Sequence, residues 1–271
     1  RQTEQAGIQP DDSAHMMVSL WDEQTETVVP AADARMQFRQ NGQTRTRVSL
    51  WPMLSQRMGL HFGDNIALPG SGEYTVEATV SPTSARLTRS LRDGLDEQAS
   101  LTFDIEFSRE RAEDIPFMRP SNIGDADAVA PMEMSGVPNA QLPPAAEMPG
   151  RLLGETTSDD GLFVVTALDE PPAGIDGSGT YLVVSARTPY NRFPLALMSL
   201  SARLERDGEP IGQGSVPATL DPELGYHYGT TVDSIESGDQ LRLAVGTPPQ
   251  LARHGGYETA FLQMGEMSLT V

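Results

Sequence analysis

Hydrophobic and polar residues along this chain change places in short runs, and a helical spacing of three to four is rare. MMVSLWD (16–22), ARMQF (34–38), YTVEATV (74–80), LTFDIEF (101–107), LFVVTAL (162–168), TYLVVSA (180–186), LSARLER (200–206) and LRLAV (241–245) have the length and texture of strands. Clusters such as QNGQ, LPGSGE and ERDGEP separate them and supply turn residues. The pattern predicts an all-β protein of immunoglobulin-like β-sandwiches. Only SARLTRSLRDGL (84–95) is spaced for a short helix.

Between 113 and 158 the alternation gives way to proline, alanine and methionine. Such a composition predicts an extended connector between a first domain (1–112) and a second (159–271). Its methionines, Met118, Met132, Met134 and Met148, either attract a soft metal or pack adaptably against the domains. The two domains also resemble each other. VSLW (18–21) faces VSAR (184–187), and GLHFG (59–63) faces GYHYG (225–229), both at an offset of 166. Anchors at one constant offset predict a tandem duplication folded as an internal pseudo-dimer.

Charge narrows the partners. The 38 acidic residues outnumber 19 basic ones, all arginine, for a net charge of −19. Such a surface repels nucleic acid, whose binding needs clustered cations. An acid excess without lysine is the composition of halophilic proteins. Without cysteine there are no disulfides, zinc–thiolate sites, iron–sulfur clusters or blue-copper centres. No apolar run approaches the length of about 20 residues that spans a membrane. The start, RQTEQAG, is expected to be that of a trimmed chain, with any export signal or lipid anchor upstream.

Four histidines remain as chemistry. Strand alternation puts His15 and Met17 on one face and Met16, Val18 and Leu20 on the apolar other. Met53, Met58 and His61 follow Pro52 in what reads as a glycine-flanked loop. Imidazole with thioether suits copper, Cu(I) above all, better than calcium or magnesium. Such histidines bind only when neutral, so affinity should fall below about pH 6. His227, between two tyrosines, reads as structural, while His254 in ARHGGYE could join the site.

WPMLSQRMGLHFGDNIAL, preceded by the HMM strand, resembles the periplasmic high-affinity iron-transport auxiliary proteins and the related metal-binding lipoprotein antigens. The resemblance implies immunoglobulin-like sandwiches, dimers, copper held by histidines and a methionine, and service to iron uptake beside a membrane permease. It carries a strand histidine onto His15, the methionine of a Met-Pro-Met segment onto Met53, a loop histidine onto His61 and a later histidine onto His254. Met17 stands where the family has glutamate, which tilts the pocket towards copper. The first repeat lacks a late histidine of its own, so a full site borrows His254 from the second. With the acidic composition, the resemblance points to a haloarchaeal tandem-repeat branch.

The expected function is therefore that of an extracytoplasmic, surface-held binding protein without enzymatic activity. Its metal sites are His15, Met17, Met53, His61 and His254, its ion copper or iron with copper preferred, and its partner a membrane metal permease. The alternative is a structural or adhesive surface protein, whose aromatics in GGYETAF and TPYNRFP meet a partner and whose histidines lie apart.

Overall fold

A computed structural model describes residues 4–114, 120–126 and 129–271. It is all-β, with seventeen strands among the described residues. The first half holds β1 (Ala14–Val18), β2 (Ala34–Gln40), β3 (Gln43–Ser55), β4 (Gly59–Ile66), β5 (Gly72–Val80), β6 (Arg86–Leu87) and β7 (Ala99–Phe107). The long β3 pairs with β2 as far as Leu50 and with β4 from Trp51 onwards, so it passes from one sheet of a sandwich to the other. Phe38, Leu50, Phe62, Ile66, Tyr74 and Val76 fill the space between the two. Ala14, Met16 and Val18 of β1 pack on this core, and His15 and Met17 face outward, as the alternation predicts.

The second half contains β8 (Arg151–Ser158), β9 (Gly161–Leu168), β10 (Thr180–Arg187), β11 (Ser199–Arg206), β12 (Glu209–Ser215), β13 (Ala218–Asp221), β14 (Gly225–Val232), β15 (Gln240–Thr247), β16 (Ala252–Arg253) and β17 (Met267–Thr270). A sheet ordered β6-β13-β14-β10-β9-β8 faces one ordered β12-β11-β15-β17. Phe163, Val184, Leu204, Leu220, Tyr228 and Leu243 belong to the core between them.

The offset of 166 governs the backbone. β4 and β14 share both bounds at that offset, β6 and β16 likewise, and β3 maps onto the span from β12 through β13. Registers agree too: His15 stands opposite Asn65, and Tyr181 opposite Thr231. The β2–β3 turn, Asn41-Gly42, and the β11–β12 turn, Asp207-Gly208, both take positive φ, as tight hairpins require.

The halves also trade strands. β6 of the first runs parallel to β13 of the second, and β16 of the second runs parallel to β3 of the first. Past each traded strand the chain stays anchored: Thr88 N–H donates to Leu220 O at 3.2 Å, and His254 N–H to Leu54 O at 3.0 Å.

Three expectations are corrected. Residues 84–95 form β6 and a 3₁₀ turn (Arg89–Asp93) in place of a helix, because pairing with β13 holds the backbone extended. The segment after Pro52 is no loop: it finishes β3, turns between Ser55 and Gly59, and becomes β4. The connector is shorter than its composition implies, since β8 begins at Arg151 and joins the second domain through β9.

Candidate metal centre

β4 is the floor of the site, with β1 along one edge and the end of β3 along the other. Register puts Met53 opposite His61, and both Met17 and Trp51 opposite Gly63. β16 lies beyond β3, with Ala252 beside Met53, and delivers His254. Three first-half strands and one second-half strand thus bring their side chains to one place.

The donors meet above Gly63. A Cβ there would lie 2.9 Å from Met53 Sδ and 3.1 Å from His15 Nε2, so glycine is what leaves those two atoms room to converge. His61 Nε2 and His254 Nε2 are 3.1 Å apart, with rings nearly perpendicular and centroids at 5.1 Å. Two nitrogens at that separation can share one ion at bond lengths of about 2.0–2.1 Å. The rings of His15 and His254 stand 6.3 Å apart. Among the described residues no three His, Asp or Glu side chains make a metal-binding group by themselves. The histidine pair therefore needs the Met53 thioether, or a small approach of His15, to complete a shell. Such a mixed nitrogen–sulfur set fits a soft or borderline ion.

Hydrogen bonds prepare the ring nitrogens. His15 Nδ1–H donates to Asn65 Oδ1 at 2.9 Å, and His61 Nδ1–H to Gly59 O at 3.2 Å. Each leaves the Nε2 lone pair towards the site, where that of His61 meets His254 Nε2, the arrangement that metal-binding histidines use. Burial lowers the pKa of His61 to about 4, with help from His254 and His15. Burial, then His15, also lowers that of His254, while Glu258 opposes the shift. His61 is thus neutral well below the pH near 6 expected from sequence, and protons compete for it later.

Met17 shares the face of His15, stands opposite Gly63 and is 43% exposed. Met58 lies in the β3–β4 turn, where with Met132 and Met134 it lines a cavity of about 160 Å³. Met148 is buried and accepts a hydrogen bond from Arg187 Nη2. Met118 lies outside the described residues. His227 is fully buried against Tyr181. Sequence reasoning missed Asn65, which follows once GLHFGDN is known to be a strand beside β1.

Residues 23–107 match the family model described as Fe2+ transport protein. Residues 146–270 match a second model, described as a domain of unknown function (DUF7350). Of the candidate donors, Met53 and His61 lie in the iron-transport stretch, His254 in the second, and His15 just ahead of the first. No curated protein matches the chain. Among solved structures, a copper-bound variant of FetP from uropathogenic Escherichia coli strain F11 aligns at TM-score 0.36 and 15% identity, over 45% of this chain and 95% of its own. A copper-bound variant of Campylobacter jejuni P19 aligns at TM-score 0.35 and 16% identity, over 44% and 94%.

Proposed function

We propose that the chain is an extracytoplasmic metal-binding protein that captures a soft or borderline ion and passes it to a membrane permease. His61, His254 and Met53 hold the ion, and His15 completes the shell. Copper is the preferred ion and iron the second choice, because thioether sulfur favours the softer one. The observation that carries this reading is the convergence of imidazole and thioether donors over Gly63, from strands of both halves. The Fe2+ transport protein match over residues 23–107 supports a metal-related role. The proposed role is binding without turnover.

Chelator-treated protein titrated with Cu(I), Cu(II) and Fe(II) tests the proposal. One equivalent of one of these ions should bind, and His61→Ala and Met53→Ala should each weaken it. Failure of all three ions to bind in stoichiometric amount, or indifference to His61→Ala, rejects the site.

A further inference from the structure

The second half has its own version of the metal centre. At the offset of 166, His61 becomes His227, Gly63 becomes Gly229, His15 becomes Tyr181, Met53 becomes Thr219, His254 becomes Thr88 and Ala252 becomes Arg86. The structure keeps these residues together. His227 Nδ1–H donates to Gly225 O at 3.0 Å, as His61 does to Gly59. Tyr181 reaches over Gly229 as His15 reaches over Gly63, so closely that a Cβ on Gly229 would meet its hydroxyl at 2.0 Å. Tyr181 OH lies 3.2 Å from His227 Nε2.

Arg86 enters this cluster from the traded strand β6. Its Nη2 donates to Gly229 O at 2.7 Å, to Thr219 Oγ1 at 2.8 Å and to Tyr181 OH at 3.4 Å, and its Nε donates to Thr219 Oγ1 at 3.2 Å. Those acceptors belong to the counterparts of Gly63, Met53 and His15. In the first half Ala252 holds the place of Arg86 and brings no guanidinium to Gly63.

We propose that the Arg86 guanidinium is the resident cation of the second locus, standing where the first half takes a metal ion and tying β6 permanently to the opposite domain. The inference rests on the metal reading of the first half. At the counterparts of His15 and Met53 oxygen acceptors stand in place of nitrogen and sulfur, as suits a guanidinium, which only donates hydrogen bonds and keeps its charge. One of the two crossings is therefore clamped whether or not metal is present. The other can load and release its ion without parting the halves, and the chain binds one equivalent, not two.

Two measurements on the full chain test this. In metal-free buffer Arg86→Ala should lower the Tm, and millimolar methylguanidinium should restore most of the loss. An unmoved Tm, or a loss that methylguanidinium leaves untouched, overturns the assignment. The variant Arg86→Ala/Thr88→His/Tyr181→His/Thr219→Met gives the second half the residues of the first. It should bind a second equivalent of Cu(I), and one equivalent should survive when His61→Ala is added. If the wild type binds one equivalent and this variant, folded by circular dichroism, also binds one, the inference falls and the first site stands. If the wild type binds none, the first site falls, and the methylguanidinium experiment alone decides the role of Arg86.

Discussion

Asn65 takes part in the metal centre through register. It faces His15 across the β1–β4 ladder, and its carbonyl oxygen receives the Nδ1 proton that would otherwise be free to move to Nε2. Partners of this kind fix tautomer and ring orientation, and their loss costs about 10–100-fold in metal affinity. Asn65→Leu should therefore weaken Cu(I) binding by about that factor, read by competition with a chromophoric chelator. The Tm of the metal-free protein should change little, because the hydrogen bond is solvent-exposed. An unaltered affinity would mean that His15 is no ligand. His15, Met53, His61 and His254 were legible in the sequence as candidate donors. Asn65 was not, because its role exists only once His15 has a strand partner.

At the scale of elements, legibility followed composition. LFVVTAL and TYLVVSA announce themselves as strands because buried sheet favours β-branched and aromatic residues. WPMLS and GLHFGDNI hide, since proline and glycine sit where the site needs space and a tight turn. Gly59 shows the cost. It takes φ +65°, and a Cβ on it would lie 2.7 Å from the Phe193 ring of the second half. A left-handed backbone costs a side chain about 1–2 kcal/mol before any clash. Gly59→Ala should thus lose about 2 kcal/mol or more, measured by the denaturant midpoint at constant slope. Phe193→Ala on the same background should recover part of that loss and so expose the coupling between hairpin and second domain. Independent effects of the two substitutions would refute the contact.

For the molecule as a whole, the duplication puts a buried neutral histidine at the same place in each half, and this sets its response to acid. His227 is fully buried, and desolvation lowers its pKa to about 4 from the ordinary 6.5. Above pH 6.5 neither the folded nor the unfolded chain protonates it, and its contribution is complete. As pH falls from 6.5 towards 4 the unfolded chain takes up a proton that the folded one refuses, so folding loses stability across that window. At about 1.4 kcal/mol per unit, the loss approaches about 3 kcal/mol. An opposing effect runs over the same range, since protonating part of 38 acidic residues relieves the repulsion of a net charge of −19. The raw pH profile mixes the two, and only a difference separates them. His227→Gln keeps the carboxylates and removes the titrating ring, so subtracting its unfolding free energy from that of the metal-free wild type cancels the surface contribution. The difference should be flat above pH 6.5 and should shift in the variant's favour by about 2–3 kcal/mol between pH 6.5 and 4. Molar salt should flatten both parent curves and leave their difference standing, because screening reaches exposed carboxylates far more than a ring sealed under Tyr181. A difference that vanished in salt would place the proton on the surface and empty the second locus of its buried imidazole.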